Sequence, residues 1–248
     1  MINSFYSFVT PVKNSKNYIY KDILKLVKKI QENTFIKKWE IIIIDDGSTD
    51  QTFHQLNLLK KKNNNIKIIK NQKNEGKGFS IKRGLNYLNK KSKRVVLIDS
   101  DVPYFKELNY FLKKLQNKDL VIINRRDKKS KLIVRDNYIY AYTRYFIGNF
   151  MNFLFRILRL TDQKDTQAGL KGFNVKYKRL FKKIKTNGFL YDLELLLLFS
   201  NKGVNPISVP CNYSISKNSS IKLKFKVFFI ILEDLLKIYF NNRKKNYK

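Results

Sequence analysis

The sequence predicts an α/β fold with a mostly parallel sheet, and two observations carry this prediction. Strand-like and helix-like segments alternate through the first 125 residues, as in the β-branched run at 40–45 and the helical spacing at 18–32. Strands separated by helices are typical of βαβ units, whose strands run parallel. The second observation is that charged, glycine or small polar residues follow every predicted strand of this half.

The elements of the first half follow from local patterns. Residues 5–10 predict a strand that ends at Pro11, and apolar side chains at helical spacing predict a helix over 18–32. The run EIIIID at 40–45 predicts a buried strand, because buried parallel strands are rich in β-branched residues. The elements that follow are a helix at 50–62, a strand at 66–70, a helix at 77–89, a strand at 94–98, a helix at 104–115 and a strand at 120–124.

The second half has a different pattern. Its predicted elements are a long aromatic helix or helix pair at 136–160, a loop at 161–172, helices near 174–183 and 191–201, a short strand ending near Pro210 and a basic amphipathic tail helix. We therefore expect one domain over 1–220, with a ligand-binding half at 1–126 and a second half at 127–220. Residues 221–248 would form the tail.

Composition narrows the possible chemistry. Of the 248 residues 43% are hydrophobic and 14% aromatic, which is enough for a buried core and excludes a disordered basic tail protein. One cysteine, Cys211, excludes a disulfide framework and a cysteine-based metal site. With one histidine, His54, we expect neither a histidine zinc site nor a Ser-His-Asp triad. Carboxylates, hydroxyls, backbone groups and cations remain for the chemistry.

The net charge favours an anionic partner, but it has two explanations. Lys and Arg number 52 against 19 Asp and Glu, a formal net charge of +33. A basic surface can bind nucleic acid by releasing counterions from phosphates. However, the abundant residues, 42 Lys, 27 Asn and 27 Ile, have A/T-rich codons, whereas Arg, which base readout favours, occurs 10 times. We therefore attribute much of the charge to biased composition and expect no nucleic-acid partner.

No targeting or membrane-spanning segment is predicted. Residues 1–11 lack a basic region followed by a long apolar region. No run of 18 apolar residues occurs, so we expect no transmembrane helix.

Five predicted strands are each followed by residues suited to ligand binding. In an open α/β sheet, ligands lie beyond the carboxyl ends of the parallel strands. The strand-end residues are, in order, Thr10, Pro11 and Asn14; DDGSTD at 45–50; NEGKG at 74–78; Asp99, Ser100 and Asp101; and Arg125 with Arg126. Five such loops on one edge predict a ligand site there.

The loops at 74–78 and 99–101 suit a diphosphate and a divalent cation. Asp99 and Asp101, two residues apart at a strand end, can both bind one hard cation that also binds diphosphate oxygens. Gly76 allows close approach of the backbone, and Lys77 beside a helix N-terminus would suit an anion.

The remaining loops have two interpretations each. Asp46 and Asp50 can accept hydrogen bonds from a base or ribose, although Asp50 can equally be a helix N-cap. Arg125 and Arg126 can neutralise phosphate or be surface cations.

Seven motifs, in order along residues 3–217, give the sequence a specific resemblance. They are VTPVKN at 9–14, IIIIDDGSTD at 41–50, NEGKGFSIKRGL at 74–85, LIDSD at 97–101, DTQAGLKGF at 165–173, GFLYDLELL at 188–196 and VP at 209–210. On these residues the chain resembles the family-2 inverting glycosyltransferases. That family has the GT-A fold, a Rossmann-like nucleotide-sugar-binding sheet with an acceptor-side subdomain and amphipathic helices. NEGKG, DTQxGxK and YDLELL resemble the branch that makes dolichyl- or polyprenyl-phosphate sugars, its glucosyltransferases above all.

The resemblance implies a role for each matching residue. The residues implied to bind the nucleotide sugar are Pro11, Asn14, Asp46, Asp50, Gly76, Lys77, Asp99, Arg125 and Arg126. Those implied to be catalytic are Asp101, Asp165, Gln167, Asp192 and Glu194. Asp99 and Asp101 would hold Mg²⁺ or Mn²⁺, and Arg135 and Arg144 would meet the acceptor phosphate.

The chain also departs from the family pattern. Ser15 stands where the family often has Glu, and Ala168 and Leu170 replace the Cys and Phe of DTQCGFK. The family's Gly-Ser-Arg after strand five is here Ile-Asn-Arg, so Arg125 and Arg126 both remain candidates for its arginine.

The implied reaction is the inverting transfer of a hexose, glucose favoured and mannose possible, from UDP-glucose or a similar donor to a polyprenyl phosphate. A metal would stabilise the departing diphosphate, and an acceptor phosphate, already ionised at pH 7, needs no strong base. The alternative acceptor is a hydroxyl of a polysaccharide or lipid-linked glycan, which would need Asp165 or Asp192 as a base. A nucleic-acid-binding module, the alternative outside this class, leaves the ordered Asp motifs unexplained.

A lipid acceptor would give the second half a membrane role. The aromatic helix at 136–160 would lie in the membrane interface, or alternatively in the protein's own core. The basic tail helix would meet an anionic membrane surface. We therefore expect a peripheral enzyme on the cytoplasmic face of a membrane.

Overall fold

A seven-stranded sheet forms the centre of the molecule. The computed structural model describes residues 4–102, 104–134, 138–214, 225–244 and 247. The strands are β1 Phe5–Val12, β2 Lys38–Asp45, β3 Ile66–Lys70, β4 Ser92–Ile98, β5 Leu120–Asn124, β6 Lys131–Leu132, β7 Leu170–Asn174, β8 Ile207–Pro210 and β9 Asn212–Tyr213. The helices are α1 Ile19–Gln31, α2 Thr52–Lys62, α3 Lys77–Leu85, α4 Leu108–Leu115, α5 Tyr138–Ile157, α6 Tyr191–Ser200 and α7 Phe225–Arg243, with a 3₁₀ segment at Val175–Lys183.

The strand order confirms the predicted α/β class. The sheet has the order β3-β2-β1-β4-β7-β5-β8, and β6 pairs with β9 beside it. β1 is parallel to β2 and β4, β2 is parallel to β3, and β5 is parallel to β8. Helices connect these parallel strands, so the loops that follow β1 to β5 reach the carboxyl edge of the sheet.

One strand of the sheet was not predicted. Residues 161–172 were expected to form a loop, but β7 begins within them and lies antiparallel between β4 and β5. The segment LKGFN contains a lysine and a glycine, which are depleted in strands, so the local pattern does not indicate one. At Gly172 an added Cβ would lie 2.5 Å from Leu115, so α4 packs closely against this strand. The expected helix at 174–183 is a 3₁₀ segment instead.

Several boundaries also differ from the prediction; helix α3, for example, ends at Leu85 rather than at Asn89. The first strand does not end at Pro11 but continues to Val12, with Pro11 aligned beside Ile44 of β2. Helix α4 begins at Leu108 rather than at Tyr104, which has a φ of +62°. A positive φ cannot continue a right-handed helix, so the chain turns before the helix starts.

Two hydrophobic clusters cover the two faces of the sheet. The first includes Leu26 of α1, Leu56 of α2 and Phe111 of α4. The second includes Leu198 of α6 and Ile238 of α7, both fully buried. Burial of a side chain of this size stabilises the fold by about 1.5–3 kcal/mol. The tail helix therefore packs on the same core as the sheet.

Helices α5 and α7 leave a large apolar surface exposed. In α5 the buried residues are Ala141, Asn152 and Phe155. The exposed side chains are Tyr138, Ile139, Tyr142, Phe146, Ile147, Phe150, Phe153 and Ile157 on α5, and Phe229, Ile230, Leu232, Leu236 and Phe240 on α7. The aromatic helix is therefore only partly buried, since Phe155 belongs to the second cluster while most of its aromatic side chains are exposed. No helix among the described residues is long and apolar enough to cross a membrane.

Candidate active site

The loops at the carboxyl edge contact one another, as expected from their positions after the strands. The backbone N–H of Thr49 donates to Asn14 Oδ1 at 2.9 Å, which joins the loops after β1 and β2. Lys77 Nζ lies 2.6 Å from Asp99 Oδ1, which joins the loops after β3 and β4. The backbone N–H of Glu75 donates to Asp46, which joins the second loop to the third, so the first four loops form one continuous surface.

Asp46 shapes the loop that carries Lys77. Its carboxylate accepts hydrogen bonds from Asn71 Nδ2 at 2.7 Å and from the backbone N–H groups of Glu75 and Gly76 at 2.9 and 3.0 Å. These partners tie the NEGKG loop to the end of β2. A contact of Asp46 with a base or ribose stays a prediction, as does one of Pro11, which is half-buried at the end of β1.

Asp50 lies one residue before the N-cap of α2, which is Gln51, and its carboxylate still contacts the start of that helix. It accepts hydrogen bonds from the backbone N–H of Thr52, the first residue of α2, at 2.9 Å and of Lys16 at 3.3 Å. Burial alone would raise the pKa of Asp50, but these hydrogen bonds and the Thr52 hydroxyl lower it. The carboxylate therefore stabilises the helix start and also fixes the loop after β1.

The N-terminus of α3 is not open to an anion, and this corrects the expectation from the glycine-rich loop. The carbonyl of Asn187 accepts hydrogen bonds from Gly78 N at 2.8 Å and Phe79 N at 3.3 Å. Gly76 has a φ of +99°, and a Cβ there would lie 2.4 Å from the same carbonyl. Gly76 and Gly78 thus leave room for the Asn187 backbone against the loop. The Lys77 side chain remains as the cation of this loop.

Asp99 and Asp101 fit a divalent cation. Desolvation in the crowded loop and the like charge of Asp99 raise the pKa of Asp101 to about 6, although the residue as a whole is exposed. Gly169 packs against Asp99, because a Cβ there would lie 2.2 Å from Asp99 Oδ2. Carboxylate oxygens are the ligands that Mg²⁺ and Mn²⁺ prefer. Among the described residues no cluster of three or more His, Cys, Asp or Glu side chains could hold a metal, so a cation at this pair would take its other ligands from elsewhere.

Lys77 connects this pair to Asp192 of α6. Asp192 is buried, and its Oδ2 lies 3.7 Å from Lys77 Nζ. Burial alone would lower the pKa of Lys77, but the carboxylates of Asp99 and Asp192 raise it above the usual range. Lys77 is therefore a permanent cation between two carboxylates.

Lys171 lies in the site although it was not predicted as a site residue. Its side chain is 2% exposed, lies 2.7 Å from Asp192 Oδ1 and donates to the Ala168 carbonyl at 2.7 Å. Burial lowers its pKa. The signal was present in the sequence, because Lys171 is the lysine of the DTQAGLK motif. Its partner could not be found without knowing that this segment is a strand facing α6.

Asp165 is paired with both arginines that follow β5. Arg125 donates from Nε and Nη2 to its two oxygens, each at 2.7 Å, and Arg126 Nη1 lies 2.9 Å away. Burial alone would raise the pKa of Asp165, but the arginines hold it well below the usual range. A carboxylate held so strongly ionised is a poor proton acceptor, so Asp165 is not suited to act as a general base.

A cationic pocket of about 640 Å³ opens beside this pair. Its lining residues are Arg125, Arg126, Asp127, Ser130, Leu132, Tyr142, Tyr145, Asn149, Asn152, Arg156, Lys164 and Tyr213. Arg126 is held there by a 2.7 Å hydrogen bond from its Nε to Asn149 Oδ1 of α5. Lys164 was not predicted to belong to a site, since it lies in no motif.

Of the two arginines expected to meet an acceptor phosphate, only Arg144 lies among the described residues. Arg135 lies outside the described residues. Arg144 lies over the Tyr140 ring, 6.0 Å from its centroid, and does not line the pocket. The pocket thus draws its cations from the β5 loop, the end of α5 and the loop after it.

Gln167 and Glu194 lie in different surroundings. The backbone N–H of Gln167 donates to Asp165 at 3.2 Å, and its side-chain nitrogen is buried without a partner among the described residues. Glu194 is fully buried and accepts hydrogen bonds from Lys185 N, from the N–H and hydroxyl of Thr186 and from Tyr247 Oη, at 2.6–2.9 Å. These contacts give Glu194 a structural role beside the residue 187 carbonyl that caps α3.

Comparisons with known proteins agree with this geometry. Residues 7–182 match the family described as glycosyl transferase family 2. A dolichyl-phosphate beta-glucosyltransferase of Dictyostelium discoideum is 27% identical, over 96% of this chain and 75% of the relative. The enzyme of that name from Saccharomyces cerevisiae is 26% identical, over 97% of this chain and 78% of the relative.

A solved structure shows the same fold. Glucosyl-3-phosphoglycerate synthase from Mycobacterium tuberculosis, in complex with Mn²⁺, UDP and glucosyl-3-phosphoglycerate, superposes with a TM-score of 0.63. It is 18% identical, and the match covers 95% of this chain and 80% of that one. The fold is therefore that of the GT-A glycosyltransferases.

Fold, site and family match together define a nucleotide-sugar-dependent transferase. The chain belongs to glycosyl transferase family 2, and it is a glycosyltransferase. The comparisons give no support to the nucleic-acid-binding alternative.

Proposed function

We propose that the protein catalyses the inverting transfer of glucose from UDP-glucose to a polyprenyl or dolichyl phosphate. Relatives named dolichyl-phosphate beta-glucosyltransferase that match nearly the whole chain support this proposal. The observation that carries it is the pocket beside Asp165. Arg126, Arg156 and Lys164 provide cations there, and aromatic side chains of α5 line the same pocket. Such a site suits an anionic head group attached to an apolar chain.

The donor would lie at the other end of the carboxyl edge. Asp99 and Asp101 would hold Mg²⁺ or Mn²⁺, which when bound neutralises charge on the departing diphosphate. Lys77 lies beside Asp99 and would add a second positive charge there. Structures of the Mycobacterium tuberculosis synthase contain Mn²⁺ with UDP-glucose, which supports this choice of donor and metal.

The acceptor side agrees with a nucleophile that arrives ionised. A phosphate monoester is anionic at pH 7 and needs no deprotonation before it attacks the sugar. Arg125 and Arg126 keep Asp165 ionised and oriented, and a sugar hydroxyl would instead require a base with a pKa nearer neutrality. An acceptor that is already ionised therefore needs no general base.

A donor and acceptor screen tests the reaction. Purified protein with Mn²⁺ is incubated with radiolabelled UDP-glucose or GDP-mannose, with polyprenyl phosphate or without it. We expect label in the lipid phase from UDP-glucose when the lipid is present, and a β-linked product by NMR. Transfer from GDP-mannose would show that the transferred sugar is mannose and not glucose. Transfer to a glycan acceptor but not to the lipid would contradict the acceptor.

We also propose that the enzyme is peripheral at a membrane, with α5 and α7 in the interface. Helix α5 carries eight exposed apolar side chains, one of which, Tyr142, lines the proposed acceptor pocket. The basic residues of the chain would add about 1 kcal/mol per cation near an anionic surface. The cytoplasmic face stays a prediction from the sequence.

Flotation with vesicles containing phosphatidylserine tests the membrane proposal. We expect binding at low salt that Phe146→Ser with Phe150→Ser weakens, whereas Tyr87→Ser, an exposed aromatic residue at the end of α3, leaves it unchanged. No flotation of the unaltered protein at low salt would contradict the proposal.

A further inference from the structure

A row of alternating charges runs from β7 to the cation site. Lys171 Nζ lies 2.7 Å from Asp192 Oδ1, and Asp192 Oδ2 lies 3.7 Å from Lys77 Nζ. Lys77 Nζ in turn lies 2.6 Å from Asp99 Oδ1. Lys77 is therefore shared unequally between two carboxylates, and the nearer one belongs to the pair that fits a divalent cation.

The two ends of this row differ in freedom to move. The side chains of Lys171 and Asp192 are 2% and 3% exposed, and the Ala168 carbonyl holds Lys171 from a second side. The side chain of Lys77 is 18% exposed and that of Asp99 is 37% exposed. A buried ion pair is rigid because either charge would be costly without its partner. The Lys171–Asp192 pair is thus a fixed anchor, and Lys77 is the member that can shift.

We propose that Asp192, held in place by Lys171, is a positioning residue that keeps Lys77 directed at the donor diphosphate after a divalent cation takes Asp99. This inference rests on the proposed function. With a divalent cation bound to Asp99, the Lys77 ammonium would be repelled from its 2.6 Å contact with Asp99 Oδ1. Asp192 then becomes the carboxylate that retains the ammonium at the edge of the sheet, where diphosphate oxygens bound to the same metal would lie.

The proposed arrangement predicts opposite effects of Lys77 on the binding of metal without nucleotide and on the binding of nucleotide with metal. Lys77 competes with the metal for Asp99 when no nucleotide is present, and it adds to nucleotide binding when the metal is present. Loss of the lysine is therefore expected to have opposite effects in the two states. A residue with only a structural role would not produce this reversal.

Calorimetry with Mn²⁺ alone, and with UDP in saturating Mn²⁺, tests both statements. Lys77→Met is expected to bind Mn²⁺ about threefold more tightly and UDP about tenfold more weakly, since a charge-assisted contact of about 1.4 kcal/mol corresponds to tenfold. Asp192→Asn is expected to weaken UDP about fivefold. In the Lys77→Met background, Asp192→Asn is expected to have no further effect on UDP, because Asp192 acts through Lys77.

Two further variants separate positioning from folding. Lys171→Met with Asp192→Asn leaves neither buried charge unpaired, and we expect it to bind UDP like Asp192→Asn alone. Lys67→Met is the matched control, because it breaks a 2.7 Å ion pair to the buried Glu40 outside the cleft. It is expected to leave UDP and Mn²⁺ binding unchanged.

The outcomes distinguish this inference from the proposed function. No UDP binding by the unaltered protein with Mn²⁺ would contradict both. UDP binding by the unaltered protein, with the same affinity in Asp192→Asn, would contradict the inference alone. An equal effect of Asp192→Asn with and without Lys77 would also overturn it.

Discussion

The two ends of the carboxyl edge hold carboxylates in opposite electrostatic surroundings. At one end, desolvation and the like charge of Asp99 raise the pKa of Asp101 to about 6. At the other, Arg125 and Arg126 hold the pKa of Asp165 well below its usual range, although burial alone would raise it. At the first end Lys77 is shared among the carboxylates of Asp99, Asp101 and Asp192, whereas at the second two arginines share one carboxylate. The difference indicates that one end suits a divalent cation and the other an anionic group.

Loss of a carboxylate at the first end is expected to have the largest effect. Asp101→Asn removes a proposed metal ligand, and turnover should fall at least about 1,000-fold, because a bound metal would supply several kcal/mol of stabilisation to the transition state. Initial rates at saturating Mn²⁺ measure this, and an unchanged melting temperature would show that the fold is intact. Asp119→Asn, at an exposed ion pair with Lys176, is the control. Full activity of Asp101→Asn would refute the metal assignment.

Loss of the carboxylate at the second end is expected to affect stability. Asp165→Asn leaves two arginines without their buried counter-charge, and the free energy of unfolding should fall by about 3–5 kcal/mol. Urea unfolding measures the change. The exposed pair of Asp119 is again the control, since such a pair contributes about 0–1 kcal/mol. A loss below 1 kcal/mol at Asp165 would show that the pairing with the arginines does not stabilise the fold.

A smaller effect is expected when one cation of the pocket is removed. Arg156→Ala should raise the KM for polyprenyl phosphate about tenfold, which corresponds to about 1.4 kcal/mol, and should leave the Kd for UDP unchanged. Steady-state kinetics with varied acceptor and calorimetry with UDP measure the two constants. Arg179→Ala, an exposed arginine outside the pocket, serves as the comparison. An equal change in both constants would argue against separate donor and acceptor ends.

The smallest expected effect is a change in stability with pH, and it has opposite signs at the two ends of the carboxyl edge. The raised pKa of Asp101 means that the folded protein holds this proton more tightly than the unfolded chain. Its contribution to stability therefore declines as pH rises from about 4 to about 6. The lowered pKa of Asp165 has the opposite sign, and the stability it contributes is lost as pH falls below about 4.

Urea unfolding between pH 3 and pH 7 measures these contributions. In Asp101→Asn the decline between pH 4 and pH 6 should be absent, and the loss below pH 4 should remain. The expected decline is small because Asp101 as a whole residue is exposed to solvent. The same decline in both proteins would show that another group causes it.

Local sequence patterns were sufficient to predict most of the helices and strands. Runs such as EIIIID and helical spacing in α1 are repeated signals, and the structure has the corresponding elements within a few residues. β7 was missed because LKGFN has no alternation and its hydrogen bonds come from β4 and β5. A strand that depends on its neighbours leaves little trace in its own residues.

The site was predictable to a smaller extent. Residues such as Asp99 and Lys77 could be placed on one edge, because the topology of parallel strands brings their loops together. The partners of these residues were not predictable. The pairing of Lys171 with Asp192, and the capping of α3 by Asn187, join segments that are far apart in the chain.

The sequence by itself determined the alternation of strands and helices, the family and the presence of charged loops on one edge, because these follow from local periodicity and motif order. The tertiary structure decided which charges meet. It paired Asp165 with two arginines, left Asp101 beside a like charge and exposed the apolar face of α5. The physical reason is that pKa, burial and ion pairing depend on distances between segments remote in the chain, which no local pattern encodes.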